Sequence, residues 1–263
     1  PRLEFKGPNL IKGLEFEGNR CLGVLENFVR FYEKQTADEI FLYDIVASLY
    51  KQNFNFNQIK NINPKFSVPV TFCGGIKSEE DVNQALNLGA DKVSINTAFL
   101  KNLNLLKDLV KVFGSPTIIS NVEYYFDGNQ FLLLGDFGRT VYQYNLYEWV
   151  EKLIDNGIGE IHLLNVKSDG YGEFGDGPDS EVINKICSKS KVPIVYGCGI
   201  GKREQIIDLN NNTKLSGLSI SSLFHYAFVE KIERSFASHF ENNLRDGRNI
   251  DSGNIEFINS GYG

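Results

Sequence analysis

The stretch "PVTFCGGIKSEED" (Pro69–Asp81), continued by "KVSINTAF" (Lys92–Phe99), has a second copy later in the chain. The copy reads "PIVYGCGIGKREQ" (Pro193–Gln205) and then "GLSISSLF" (Gly217–Phe224). In both copies an apolar run ends at glycines, a polar helix start follows, and a second apolar run ends in small hydroxyl or amide residues. The long separation in sequence between the two copies indicates a duplicated half-domain, because the units of solenoid proteins repeat at shorter intervals.

The glycines after each first run let a ligand approach the backbone closely, because no Cβ atom is present. The N–H groups that follow open a helix, where the dipole and the unpaired donors favour an anion. We therefore predict two phosphate-binding turns and a substrate with a phosphate at each end. The turns comprise Gly75, Asn96 and Thr97, and Asp169, Gly170, Gly199, Ser221 and Ser222. Alternatively, both are ordinary strand-to-helix turns.

The composition narrows the class of protein. A chain of 263 residues with 42% apolar content suits one α/β barrel or two small domains. The net charge of −6 argues against nucleic-acid binding, which needs a basic face. No apolar run reaches membrane-spanning length and no signal peptide is visible, so no membrane association and a cytoplasmic location are expected.

The four cysteines and three histidines lack the spacing of metal ligands. Cys21, Cys73, Cys187 and Cys198 are predicted to be reduced thiols. His162, His225 and His239 are predicted to be structural. No metal or other cofactor is expected.

Strand and helix patterns alternate eight times, and the strands are near-continuous apolar runs, as in parallel sheets. We predict one (β/α)₈ barrel domain over residues 1–263, built from two half-barrels, with a polar tail from about residue 243. Lys6–Gly23 is predicted to be a loop, Tyr124–Arg139 a β-hairpin inserted after the fifth strand, and Leu223–His239 the last helix. The active site of such a barrel lies at the carboxyl ends of the strands.

Several motifs resemble the HisF family, the cyclase subunits of imidazole glycerol phosphate synthase, over nearly the whole chain. They are "KGPNLIKG", "LYDIVAS", "CGGIKSEEDV", "GADKVSINTA", "FGS", "SDG" and "SSLFH". The resemblance implies a HisH-type glutaminase partner in a heterodimer. Ammonia from that partner would enter the bottom of the barrel and reach a bisphosphate ribotide at the top.

The resemblance also implies the catalytic residues. Glu4 and Glu123 stand where the family has the two aspartates that act as general acid and base, and Lys12 is the third catalytic candidate. Each glutamate keeps the carboxylate on an arm that is one methylene longer. Leu164 stands where the family usually has threonine. Alternatively, Glu4 and Glu123 are solvated loop carboxylates.

Further positions match the ammonia entrance of the family. Glu39, Lys92 and Glu160 correspond to a charged gate at the barrel bottom, and Asp91 lies near the contact with the glutaminase. Charges at the starts of barrel strands must be paired or face water. A salt-bridge ring that only holds the barrel together is the alternative interpretation of the trio.

Two functional classes follow. The first is a HisF-type synthase subunit that acts on a phosphorylated small molecule. It makes imidazole glycerol phosphate, or it belongs to a HisF-like branch found with surface-polysaccharide genes, which the loop "PRLEFKGPNLIKGLEFEGNRCLG" resembles. In that branch the resemblance implies that the ammonia is delivered for amidation of a sugar by a separate ATP-dependent enzyme. The second is a catalytically silent ammonia conduit that activates a glutaminase. The related single-chain isomerase fits less well, because it needs no ammonia gate.

Overall fold

Eight parallel strands form a barrel in the computed structural model, which describes residues 1–62, 66–171 and 174–231. The barrel strands are β1 (Arg2–Lys6), β4 (Ile40–Asp44), β5 (Val70–Cys73), β6 (Lys92–Ile95), β7 (Ile118–Phe126), β10 (Glu160–Asn165), β11 (Ile194–Gly197) and β12 (Gly217–Ser219). Neighbouring strands pair in parallel register from β12 round to β1. A hydrogen bond from Arg2 N to Ile220 O (2.9 Å) joins the first strand to the end of the last. The predicted (β/α)₈ fold is confirmed.

Helices cover the outside of the barrel. They are α1 (Leu25–Lys34), α2 (Phe56–Ile62), α3 (Glu79–Asn87), α4 (Thr97–Lys101), α5 (Asn104–Phe113), α6 (Leu146–Asp155), α7 (Ser180–Lys189) and α8 (Arg203–Asn212). Residues 222–231 are also helical. The remainder of the predicted last helix and the polar tail lie outside the described residues, so the single domain over 1–263 stays a prediction.

The strands alternate between two buried environments. In β4, Leu42 faces outward and packs in the main core between strands and helices, whereas Phe41 and Tyr43 belong to a second apolar cluster. Both faces of the strand are therefore buried, which explains why the sequence "IFLYD" contains so little polarity. Side chains of the inner face line the barrel axis and form the sites described below.

The predicted loop at Lys6–Gly23 is instead an antiparallel hairpin of β2 (Asn9–Leu14) and β3 (Glu17–Val24). Its turn uses Glu15 and Phe16 at positive φ (48° and 63°), a conformation in which glycine or asparagine is the usual signal. Distant contacts hold the turn, since Glu15 N donates to Asp169 O (3.0 Å). Local sequence therefore gave no sign of this hairpin.

The predicted insertion after the fifth barrel strand is confirmed and is larger than expected. The strand β7 continues to Phe126 and pairs with β8 (Phe131–Gly135), which pairs with β9 (Thr140–Asn145). The turn at Gly138 brings the backbone of this insertion onto Glu123, because Gly138 N donates to the Glu123 carboxyl (3.2 Å). The insertion thus forms a wall at the top of the barrel.

Candidate active site

A cavity of about 480 Å³ opens at the carboxyl ends of β4 to β7. Gly75, Asn96 and Thr97, which form the first predicted phosphate-binding turn, all line this cavity. Glu123, a predicted catalytic residue, lines it too. The fold therefore brings a carboxyl group and three predicted phosphate-binding residues to one space, called here the upper cavity.

The glycine pair at the edge of the upper cavity is required by close packing. Gly74 and Gly75 both have positive φ (94° and 72°). A Cβ atom on Gly74 would lie 2.1 Å from Asp44 O, and one on Gly75 would lie 2.5 Å from Ala47 Cβ. The N–H group of Gly75 donates to Ser48 Oγ (3.2 Å), so the predicted phosphate would have to share this donor with that hydroxyl or displace it.

Asn96 and Thr97 are held by the insertion. The Asn96 side-chain amide donates to Leu134 O (2.9 Å), and Thr97 Oγ1 accepts from Asp136 N (2.8 Å). Thr97 is also the first residue of α4, a short helix that the sequence did not predict. The polar atoms predicted to contact phosphate therefore also fasten the insertion to the barrel.

Three lysines that sequence reasoning missed line the upper cavity: Lys51, Lys77 and Lys101. Each follows the end of a barrel strand (β4, β5 or β6), which is the one signal that could have identified them. Lys101 lies 3.5 Å from Asp136 but stays largely exposed. Ammonium groups on flexible stems attract phosphate as point charges, so these lysines suit an anionic ligand.

Glu123 is buried in the wall of the upper cavity. Its carboxyl accepts hydrogen bonds from the Tyr43 hydroxyl and from Gly138 N. Burial raises the pKa of Glu123 to about 7, against the opposing effect of these hydrogen bonds. A carboxyl group with a pKa near neutrality can both accept and donate a proton, as general acid–base catalysis requires. Tyr43, which sequence reasoning also missed, holds this carboxyl in place.

Glu4 and Lys12 lie in a different environment, a closed ion cluster at the top of the barrel. Lys12 Nζ lies 2.8 Å from Glu4 Oε2 and 2.7 Å from Asp169 Oδ2. Arg2 Nη2 lies 2.6 Å from both Glu4 Oε1 and Asp169 Oδ1. All four side chains are almost completely buried. Two cations thus neutralise two carboxylates in this cluster.

The charges of the cluster stabilise each other. Burial alone would raise the pKa of Asp169, but the Lys12 and Arg2 cations outweigh it and hold that pKa below its usual value. Burial would likewise lower the pKa of Lys12, yet Asp169 and Glu4 raise it. Lys12 also borders a second cavity of about 710 Å³ beside the β2–β3 hairpin. Lys12 is thus the member of the cluster that lines this larger cavity.

The second predicted phosphate-binding turn forms a narrow crevice. Asp169, Gly170, Gly199, Ser221 and Ser222 line a space of about 10 Å³. The N–H group of Gly199 donates to Ser168 O (2.9 Å), and a Cβ atom on Gly170 would lie 2.1 Å from Gly13 O. The fold brings all five predicted residues together. The Asp169 carboxylate itself is bound by Lys12 and Arg2, and its negative charge would repel a phosphate. This geometry gives its predicted role in phosphate binding no support, and the role stays a prediction.

The three predicted gate residues meet at the amino-terminal ends of the barrel strands. Lys92 Nζ lies 2.9 Å from Glu39 Oε2 and 2.9 Å from Glu160 Oε2, and Thr71 Oγ1 donates to the other Glu39 oxygen. Burial would lower the pKa of Lys92, but hydrogen bonds to Glu160 and Glu39 outweigh it and raise that pKa. Burial raises the pKa of Glu160 despite Lys92. Lys92 thus joins the two glutamates, and this trio is called here the Lys92 bridge.

One atom of this trio lacks a partner. Within residues 1–62, 66–171 and 174–231, the buried side-chain polar atoms without a hydrogen bond are Glu160 Oε1 and Arg2 Nε. Asp91, the predicted interface residue, is exposed beside the trio, and its Oδ2 accepts from Val70 N (2.8 Å). The trio and Asp91 thus lie at the opposite end of the barrel from the upper cavity.

The described part of the chain holds no group of three or more His, Cys, Asp or Glu side chains that could bind a metal ion. None of its helices is long and apolar enough to span a membrane.

Comparison with known proteins gives one family. Its profile, described as "Histidine biosynthesis protein", matches residues 6–230. The imidazole glycerol phosphate synthase subunit HisF of Legionella pneumophila is 36% identical over 205 residues, covering 78% of this chain and 95% of that protein. HisF of Lactococcus lactis subsp. cremoris (strain MG1363) is 33% identical over 237 residues, covering 89% of this chain and 90% of that protein. The chain belongs to the HisF family.

Proposed function

We propose that this barrel receives ammonia from a HisH-type glutaminase and transfers it to a phosphorylated, ribotide-like acceptor. The observation that carries the proposal is the Lys92 bridge between Glu39 and Glu160, at the opposite end of the barrel from Glu123. A charged opening at one end and an acid–base cavity at the other suit a route through the barrel. The name of the relatives, a subunit of imidazole glycerol phosphate synthase, supports a partner protein.

The chemistry assigned to the upper cavity follows from its groups. Lys51, Lys77 and Lys101 would hold a phosphate near the glycine turn. Ammonia would attack an electrophilic carbon of the acceptor, and the Glu123 carboxylate would remove a proton from the attacking nitrogen. The carboxylic acid so formed would return that proton to the departing oxygen. The pKa of Glu123 near 7 suits both steps.

The acceptor has two candidates within this function. One is the bisphosphate ribotide that imidazole glycerol phosphate synthases use, and the other is a sugar derivative in the branch that makes nitrogen-containing surface polysaccharides. Both require ammonia and an anionic anchor, so the cavity suits either. The product identifies which one is used.

A catalytically silent ammonia conduit that activates its glutaminase is the second candidate. The enclosure of Glu4 between Arg2 and Lys12 favours it, because both oxygens of that carboxylate are occupied by cations and the side chain does not line the upper cavity. In this function the barrel would bind the glutaminase and pass ammonia on without turnover at Glu123.

The deciding experiment uses the full chain with the bisphosphate ribotide, first with ammonium chloride and then with a HisH-type glutaminase and glutamine. Turnover in both assays is the expected result for a synthase, and Glu123→Gln should abolish it while leaving ribotide affinity nearly unchanged. Raised glutamine hydrolysis without product would exclude the ribotide as acceptor, and would support the silent conduit if a sugar acceptor of the polysaccharide branch also gave no product. No turnover and no effect on the glutaminase would contradict both functions.

A further inference from the structure

His162 lies on the inner face of β10, completely buried within the barrel. Its Nδ1 atom is 2.8 Å from Asn121 Oδ1, and its Nε2 atom is 2.5 Å from Ser219 Oγ. The Phe41 ring packs against the imidazole with 4.5 Å between centroids. The imidazole thus spans the barrel interior between β7 and β12. His162 has no role in the proposed acid–base step.

The two hydrogen-bond partners of His162 face different spaces. Asn121 lines the upper cavity, together with Ser94. Ser219 and Phe41 line a lower cavity of about 1100 Å³, which also reaches Lys92 and Glu160. His162 itself is not exposed to either. The imidazole therefore forms part of the partition between the space beside the Lys92 bridge and the space beside Glu123.

The hydrogen bonds define which nitrogen carries the proton. Ser94 Oγ donates to Asn121 Oδ1 (2.8 Å), so the side-chain oxygen of Asn121 acts as an acceptor. His162 Nδ1 must then be the donor to that oxygen, and Nε2 accepts from the Ser219 hydroxyl. Burial, assisted by the Arg2 cation, lowers the pKa of His162 well below its usual value. The ring is neutral and held at both ends.

We propose that His162 is an inner gate, which closes the barrel axis above the lower cavity and admits ammonia as the uncharged molecule. The inference rests on the proposed ammonia route and adds a positioning residue to it. Ammonia both donates and accepts hydrogen bonds, so it can replace Ser219 at Nε2 and let the ring swing aside. An apolar side chain at this position would offer it no such exchange.

Ammonium is excluded at the same level for electrostatic reasons. An unpaired cation loses much hydration energy in a buried interior. The charged neighbour of the imidazole is the Arg2 guanidinium, which repels a second cation, while Phe41, Asn121 and Ser219 carry no charge. Below the gate, the unpartnered Glu160 Oε1 is an acceptor that can take a proton from an arriving ammonium ion.

The first test compares two rates of the complex with a HisH-type glutaminase on the bisphosphate ribotide. We expect His162→Leu to lower the ratio of glutamine-dependent to ammonium-dependent turnover by about tenfold. The control is His225→Gln, because His225 is equally buried but bonds Tyr32 and Arg2 O away from the axis. Its ratio should equal that of the unaltered chain. An unchanged ratio in His162→Leu would overturn the gate.

The second test needs neither turnover nor a variant that folds. In the full chain labelled with ¹⁵N-histidine, NMR measures exchange of the His162 Nδ1 proton with water at fixed pH. Ammonium chloride should accelerate this exchange severalfold, because ammonia reaches the ring, whereas Tris at the same concentration should not. Equal responses to both bases would refute the gate. Acceleration by ammonium without any ribotide turnover would sustain the gate and reject the ribotide as the acceptor.

Discussion

Glu4 and Glu123, the two glutamates predicted to be catalytic, lie in different environments in the fold. Glu4 is fixed between Arg2 and Lys12, whereas Glu123 faces the upper cavity with neutral hydrogen-bond donors. The carboxylate of Glu4 is bound by the guanidinium of Arg2, a residue of the same strand. Of the two carboxyls, Glu123 is therefore the one that lines the upper cavity, where a ligand can reach it.

The raised pKa of Glu123 predicts a particular dependence of stability on pH. The folded state binds the proton of Glu123 more tightly than the unfolded state does, so stability falls as pH rises from about 4.5 to about 7. Glu123→Gln removes this effect. We expect it to gain a few kcal/mol relative to the unaltered chain between pH 5 and pH 8, at about 1.4 kcal/mol per unit of pKa shift.

Urea unfolding at pH 5 and pH 8 measures that difference. The control is Glu148→Gln, which alters an exposed carboxylate in the first turn of α6. Its stability should follow the unaltered chain at both values. If Glu123→Gln behaved like this control, the carboxyl of Glu123 would have an ordinary pKa and its assignment as acid–base catalyst would fail.

Because Thr97 lines the upper cavity, a negative charge placed there should weaken the binding of an anion. Gly75 is a poor position for such a test, because any side chain there meets Ala47 and Phe54. Thr97→Asp places a carboxylate at the start of α4 and facing the cavity. We expect calorimetry to show at least about tenfold weaker binding of the bisphosphate ribotide. Asn87→Asp, on the outer surface of α3, carries the same charge change and should bind normally.

At the scale of elements, the sequence predicts the barrel because each inner strand is buried on both faces and reads as an apolar run. It could not predict the β2–β3 hairpin, whose turn has no glycine and depends on the remote Asp169 backbone. It also could not assign His162 and Arg2 to the barrel axis, since only the register of the strands decides which face is inward. The predicted residues that follow strand ends do lie at one end of the barrel, because barrel topology alone brings them together.

The charged trio at the amino-terminal ends of the strands allows the effect of Lys92→Ala to be predicted. Removing the cation leaves Glu39 and Glu160 facing each other, and like charges repel. We expect a loss of about 1 to 2 kcal/mol in unfolding free energy, less than for a fully buried pair, because the trio is partly exposed. Glutamine-dependent turnover should fall more than ammonium-dependent turnover. Equal losses would assign Lys92 to barrel stability alone.

On the scale of the whole molecule, the barrel separates two kinds of surface. The upper end carries the flexible lysines and the insertion that would contact a small anionic ligand. The lower end carries the Lys92 bridge and the exposed Asp91. A protein that delivers ammonia therefore has to bind the lower end, and a stable contact of this kind buries at least about 1,000 Å².

Asp91 permits a direct test of that docking face. Its carboxylate accepts from Val70 N, and Asp91→Asn keeps an oxygen for this hydrogen bond while removing the charge. Asp91→Lys reverses the charge beside the entrance. If the glutaminase docks there, we expect Asp91→Lys to weaken the complex by about tenfold, near 1.4 kcal/mol, and Asp91→Asn to weaken it less.

Glu204→Lys makes the same charge reversal at the start of α8, at the opposite end, and should leave affinity unchanged. Binding is measured by calorimetry with the HisH-type glutaminase, and ammonium-dependent turnover should stay the same in all three variants. Equal weakening by Asp91→Lys and Glu204→Lys would mean that net charge alone matters and that the lower face is not the docking site.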